Sequence, residues 1–338
     1  MEYSPIPMAL VLITPLVVGI LLLFLPDTPR YYIIKGDYEK AGDAIRRLRG
    51  ITDERVIREE VEQMKTTHVA EQAKGKVHVF DIFKGADLRR TLLIYGLACS
   101  QVITGRAFLA QFSVYFLGQS GVSDPFLWVM ITYLLSLSAN AFASVLLRYL
   151  PRKKILFCGV VIEAVAMFVM AIPSSARVVS VQADRVLIAM YIIHTWIGAA
   201  TSTPAASCVM SELPSQRLRP EQVGTGNLIM WGTSWLVAYT TPYFINPEQL
   251  NWGPKYAYVW GACCAILAVW VWAWVPETKG RSLEQIDELF KKKVPSRKFS
   301  TFVVETENID EKYSRQRKAR EEDDSITHVV EPVVDFKV

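Results

Sequence analysis

The amino-acid sequence predicts an all-α membrane protein, and three observations carry that reading. Apolar residues make up 51% of the 338. They gather into blocks about 20 residues long, the length a helix needs to cross roughly 30 Å of hydrocarbon at 1.5 Å rise per residue. The charged residues gather between the blocks, where a soluble core would interleave them at helical or strand period. The connections also alternate between rich and poor in Lys and Arg, as the connections of a multi-pass protein do.

The blocks give about seven spans. They run roughly Ile6–Leu25, Thr91–Leu117, Phe126–Leu147, Ile155–Ile172, Val186–Met210, Gly224–Phe244 and Tyr258–Val275. The first is read as a retained span. It has no basic n-region, is too long for a signal-peptide core, and ends in Pro26-Asp27-Thr28-Pro29-Arg30 without a small-residue cleavage pattern. Few charges interrupt the spans: Arg106 lies in the second, Glu163 in the fourth and His194 in the fifth.

Orientation follows from the basic residues. The stretch Asp27–Arg90 is dense in them, Arg148–Lys154 holds Arg148, Arg152, Lys153 and Lys154, and Ser215–Gln222 holds Arg217 and Arg219. Gly118–Asp124 has neither Lys nor Arg, and Asn246–Tyr256 has Lys255 alone. The rich set is expected to be cytosolic, which puts the C-terminus inside. The net charge of +4 is accounted for by these connections and calls for no nucleic acid.

Between the first two spans, Lys35–Lys84 reads as short amphipathic helices. Asp37 can cap a helix over Glu39–Leu48 with Gly50 just past its end, and Thr52 can cap a second. On that second helix Ile57, Val61 and Met64 form an apolar stripe too narrow to span and suited to docking on protein. From about Lys291 the tail is charged and poor in aromatics, and is expected to be mostly disordered. The five cysteines all lie in apolar blocks and the four histidines are scattered, so neither a metal site nor another cofactor is expected. No nucleophile–base pair points to an enzyme.

Two segments are specific enough to suggest a family. Pro276-Glu277-Thr278-Lys279-Gly280-Arg281-Ser282-Leu283-Glu284 follows the last span. Pro26-Asp27-Thr28-Pro29-Arg30, then Gly36, Glu39-Lys40-Ala41 and Leu48-Arg49-Gly50, follow the first. They resemble the signatures after the twelfth and sixth helices of sugar porters in the major facilitator superfamily. Thr241-Pro242-Tyr243-Phe244-Ile245-Asn246-Pro247, Asn251-Trp252-Gly253-Pro254-Lys255 and Ser211-Glu212-Leu213-Pro214-Ser215-Gln216-Arg217-Leu218-Arg219 are similar to runs in the fungal α-glucoside, maltose permease-like branch. The resemblance implies a partial major facilitator fold, helices six to twelve, with a cytosolic helical loop. Residues 1–25 would be a sixth-helix-like span, 26–90 the loop, 91–275 a C-terminal six-helix bundle and 276–338 the cytosolic tail.

The same resemblance implies roles for particular residues. Asp27, Arg30, Glu212, Arg217, Glu277 and Arg281 match motif positions whose ion pairs bias a rocking equilibrium at the cytosolic helix ends. Gln101 and Gly105 fit the seventh-helix pattern in which the Gln bonds sugar hydroxyls. Gln101, Thr104 and Phe108 would share one helical face, with Gln111 and Tyr115 further along. Trp231 and Ser234 fall near the positions of an aromatic and an Asn in the hexose branch, and Trp231 could stack on a sugar ring. Polar side chains and aromatics in spans also serve helix packing and interface anchoring.

Arg106 stands where the hexose branch has Asn. Contact with an acidic or bulky substrate and loss of a former site are both open for it. Arg148 and Pro151 replace the acid and Gly of the motif after the third span, and Thr203-Pro204-Ala205-Ala206-Ser207 lacks the usual aromatic. His194 suits packing against a polar partner or a relay, and Glu163 a helix pairing or a proton role. The expected function is sugar transport, α-glucoside or maltose:proton symporter-like, in a plasma membrane, with sugar, protons and lipid as partners. The family's helices one to five have no counterpart in this sequence. The chain alone is therefore expected to be inactive in coupled uptake. The alternative is a non-transporting sugar sensor or a partner of full-length porters.

Overall fold

The computed structural model describes residues 5–50, 53–73, 78–119, 121–175, 181–215 and 217–302, and every regular element among them is helical. They divide into two units, Met1–His78 and Val79–Val338.

In the first unit, α1 (Pro5–Phe24) is followed by α2 (Pro29–Lys35), α3 (Tyr38–Arg49) and α4 (Glu54–Ala73). Leu12–Phe24 and α2 meet at a 58° bend, where Pro29 opens the new helix. Asp37 caps α3 as expected, its side chain accepting from the Lys40 N–H at 3.2 Å, and Gly50 follows the helix with φ 67°. The Thr52 cap lies outside the described residues. Ile57 is buried and comes within 3.3 Å of where a β-carbon on Gly42 would sit, so the α4 stripe docks on α3. Arg49–Glu60 at 2.6 Å, and Arg46 with Asp43 and Glu54, add surface pairs.

The second unit holds α5 (Gly85–Ile103), α6 (Arg106–Gln119), α7 (Pro125–Tyr149), α8 (Arg152–Ser175), α9 (Val181–Ile197), a π turn (Gly198–Ser202), α10 (Thr203–Glu212), α11 (Arg219–Ile245), α12 (Ala257–Trp274) and α13 (Leu283–Lys291). Five stretches are long and apolar enough to cross a membrane: Gly85–Gly118, Pro125–Tyr149, Arg152–Pro173, Gln182–Glu212 and Gly253–Trp274. The bent pair of the first unit would make a sixth. The remaining expected span is helical throughout as part of α11. It falls short of that apolarity because it carries Asn227, Thr233, Ser234, Thr240 and Thr241.

Two predicted spans are not continuous. The second breaks at Thr104–Gly105, where Gly105 takes φ +83° and α6 restarts with Leu109 N–H donating to the Gly105 carbonyl at 3.0 Å. A side chain there would be strained by the left-handed backbone. It would also meet Met167 Cε at 2.5 Å and Trp260 at 3.0 Å. The fifth widens into the π turn just before Thr203 and Pro204. Proline has no N–H for the α-helical ladder, and the Thr203 N–H reaches back to the Gly198 carbonyl instead.

The core lies in two clusters. One gathers Leu97, Leu156, Val160, Ala206, Val209, Leu267 and Val271 from α5, α8, α10 and α12. The other is aromatic-rich, with Phe108, Phe116, Tyr191, Tyr256 and Trp260. At the end predicted to be cytosolic, the side chain of Gln222 on α11 donates to Thr91 Oγ1 on α5 at 3.1 Å and accepts from the Ser215 N–H at 3.0 Å.

The tail departs from expectation as far as Phe302. A capping box of Ser282 and Gln285 opens α13, and Ile286, Leu289 and Phe290 enter the first core cluster together with Val294 and Phe299. A few well-spaced apolar residues within a charged stretch suffice to seat it; residues 303–338 lie outside the described set. Two neighbouring arginines of α5 hold this strap. Arg90, buried, pairs with Asp287 at 2.7 Å, donates to its carbonyl at 3.0 Å and lies over the Phe290 ring. Arg89 donates to the Val294 carbonyl and to Ser296 Oγ, each at 2.7 Å.

Burial raises the affinity of the Asp287 carboxyl for its proton. The hydrogen bond from Lys291 and the charge of Arg90 outweigh that effect and hold the group below its ordinary value. A depressed acid contributes stability above its unfolded value and loses it as pH falls through the folded one. Proteolysis within the strap is expected to be flat above about pH 5 and to rise below about pH 4. Asp287→Asn should abolish that rise, and an unchanged rise would refute this assignment.

Candidate functional site

The wall built by α5, α6, α10 and α11 gathers most of the expected sugar-contact residues. Half-buried Gln101 accepts from Ser207 Oγ of α10 at 3.4 Å. Tyr115 of α6 donates to Asn246 Oδ1, just past α11, at 3.0 Å, and Cys99 faces Thr233 across 3.8 Å. Gln111 is exposed, and Ser234 is half-buried on α11. The single face expected for Gln101, Thr104 and Phe108 does not persist, because the helix breaks between the second and third of them. Thr104 is buried with its hydroxyl unpartnered. Phe108 is sunk in the aromatic core, stacked on Trp260 with centroids 6.1 Å apart.

Trp231 is 69% exposed on α11. It lies four residues before a ladder of aromatics spaced at the same interval, whose ring contacts start at Trp235. Trp235 stacks on Tyr239 at 5.7 Å, and Tyr239 meets Tyr243 at 5.7 Å with their hydroxyls 3.4 Å apart. All four are exposed along one helix face. The spacing is visible in the sequence, but the motif that singles out Trp231 carries no information about the aromatics four, eight and twelve residues on.

The expected switch residues separate into different roles. Glu212 makes an interhelical ion pair, but its partner is Arg152 at 2.7 Å, whose Nε also donates to Cys208 Sγ at 3.1 Å. Arg152 was not among the residues the motifs single out; Arg217, which was, is exposed and has no ion pair among the described residues. Glu277 caps a helix. Its two oxygens accept from the Arg152 and Lys153 backbone N–H groups, each at 3.1 Å, closing the N-terminus of α8. Arg281 braces the strap through the carbonyls of Phe299 at 3.0 Å and Phe302 at 2.7 Å. Asp27 and Arg30 are exposed beside the start of α2.

The three polar residues that sequence reading found one to a span lie around one another. Arg106, first residue of α6, donates to Thr203 Oγ1 of α10. Its Cδ and Glu163 Oε1 both close on Gly198, at 3.3 and 2.5 Å from where a β-carbon would sit. His194 of α9 is buried, with Nε2 3.0 Å from the Thr104 carbonyl at the helix break. The polar centre therefore sits where both interrupted spans depart from regular helix.

A family model described as "Sugar (and other) transporter" matches residues 3–290. The chain belongs to this family of transporters. It is 30% identical over 296 residues to a high glucose sensor of Saccharomyces cerevisiae, covering 85% of this chain and 39% of that protein. It is 28% identical over 301 residues to a general alpha-glucoside permease of the same yeast, covering 86% and 48%. Among solved structures, the inward-open xylose transporter XylE from E. coli matches with a TM-score of 0.62 at 18% identity, covering 81% of this chain and 54% of that one. Another structure of XylE, described as a major facilitator superfamily proton:xylose symporter, gives 0.60. The fold is thus that of part of a major facilitator protein in a multi-pass membrane chain, and the chain spans about half the length of the curated relatives it matches.

Proposed function

We propose that the chain supplies the sugar-contacting C-terminal part of a proton-coupled α-glucoside permease of the plasma membrane. The observation that carries this reading is the exposed face of α11, where Trp231, near half-buried Ser234, stands one turn before the Trp235–Tyr239–Tyr243 ladder. A sugar ring presents apolar C–H faces and a rim of hydroxyls, so it needs an aromatic plane flanked by hydrogen-bonding groups. Trp231 gives the plane. Gln101, Gln111, Tyr115, Ser234 and the unpartnered hydroxyl of Thr104 give donors and acceptors on adjoining helices. The Arg152–Glu212 pair ties α8 to α10 and is the contact whose making and breaking would bias the rocking of the bundle.

A sensor is the second reading, favoured by the similarity to the yeast high glucose sensor. Both readings require sugar binding, and they separate on the ligand. The purified chain in lipid nanodiscs is expected to show tryptophan quenching on titration with maltose. Trp231→Ala should weaken that response about tenfold, as loss of a stacking contact worth roughly 1.5 kcal/mol would do. Quenching by glucose alone would favour the sensor. No saturable response to either sugar would defeat both.

A further inference from the structure

Glu163 on α8 is 0% exposed, and among the described residues neither carboxyl oxygen has a hydrogen-bond partner in good geometry. A guanidinium is close: Arg106 and Glu163 converge on Gly198, whose lack of a side chain leaves room for both. Arg106 nevertheless donates to the neutral hydroxyl of Thr203. Ser202 is a neutral donor beside the carboxyl, and its Oγ is turned to the Gly198 carbonyl at 3.3 Å. An ionised carboxylate out of water takes up a guanidinium when one is in reach, because an unbonded buried charge is among the costliest arrangements in a protein. A carboxylic acid exerts no such pull. Both neighbouring segments are interrupted at this point, by the left-handed turn at Gly105 directly before Arg106 and by the π turn directly before Thr203. Single π turns occur often at functional sites.

We propose that Glu163 is a proton-binding site, and that its proton decides whether Arg106 is held by Thr203 of α10 or by the carboxyl of α8. In the protonated state the guanidinium rests on Thr203, the arrangement of this structure. On deprotonation the Glu163 O–H bond breaks, its electron pair stays on the carboxylate, and the proton passes to an internal water. Arg106, charged throughout, then exchanges a neutral acceptor for an ionised one, and the start of α6 moves with it. Among the described residues, the other ionisable groups around the site are Cys264 from α12, His194 from α9 and, beyond Arg106, Tyr133 from α7. α10 and the π turn contribute the neutral Thr203 and Ser202. A carbonyl only accepts, so His194 donates through Nε2 to Thr104, and its unpartnered Nδ1 is a bare acceptor in the neutral ring. The site deepens the proton coupling proposed above, and because its ligand is the proton itself it can be tested without any sugar.

The test is infrared difference spectroscopy of the full chain in nanodiscs, titrated between about pH 4 and pH 9. A carboxylic C=O band that gives way to carboxylate as pH rises is expected, absent in Glu163→Gln and shifted by carbon-13 glutamate. Arg106→Gln should move the pH at which the band disappears by about one unit or more. Should Glu163→Gln fail to assemble, Glu163→Asp decides: the band must then follow carbon-13 aspartate in place of glutamate. Identical titrating spectra in wild type and Glu163→Gln, or a band that ignores the label in Glu163→Asp, overturn the proposal.

Discussion

Gly105→Ala is expected to destabilise the bundle by about 3 kcal/mol, the sum of a left-handed residue at 1–2 kcal/mol and an overpacked core contact of similar size. The backbone at φ +83° disfavours any β-carbon, and Met167 and the Trp260 ring occupy the space it would need. A fluorescent thiol probe reading exposure of buried Cys264 during thermal unfolding in detergent would measure the loss. Gly232→Ala is the control. It lies inside α11 with nothing within 4 Å, and should be neutral or stabilising by roughly 0.5–1 kcal/mol. Equal effects at the two glycines would mean that the α5–α6 break is not held as described.

Arg90→Ala is expected to release the strap. The substitution removes one of the two 2.7 Å partners of Asp287, leaving Lys291, and also removes the hydrogen bond to the Asp287 carbonyl and uncovers the Phe290 ring. Removing one partner of a buried pair costs about 3–5 kcal/mol when the other charge is left unpaired; Asp287 is partly exposed and keeps Lys291, so this case falls at or below the lower end. Arg90→Lys should restore less than half, because a single ammonium cannot reproduce the planar fork that serves carboxylate, carbonyl and ring together. Limited proteolysis of residues 283–302 reads the result. Full protection in Arg90→Ala would show that the apolar seat of α13 suffices without the arginine.

The spans were legible in the sequence because lipid demands long apolar blocks, and the α3 cap because Asp37 and Gly50 act locally. What depends on distant pairing was not. Arg106, Glu163 and His194 read as three lone residues, since nothing in their separation shows that two helix irregularities bring them together. That Glu212 meets Arg152, a residue outside the matched motif positions, was hidden for the same reason: a motif fixes which residues are charged, while packing decides which of them meet. Glu277 reads as a charge in sequence and acts as a cap in space, because the N–H groups it serves belong to another helix. The strap was hidden by its composition. Val294 and Phe299 are diluted among lysines and arginines, and only the seat provided by α5 and α12 makes them core.

The docking of Glu277 on the first turn of α8 has a mechanical consequence. The residue lies three positions past the end of α12, so the exit of one helix is fastened to the entrance of another, and further along Gly261 lets Phe168 approach to 3.1 Å of where a side chain would begin. Two helices pinned at one end and interlocked along their length form a stiff pillar. Compliance is left to the two jointed segments beside it, so a tilt of this bundle should flex at Gly105 and at the Gly198–Ser202 widening while the pillar stands still.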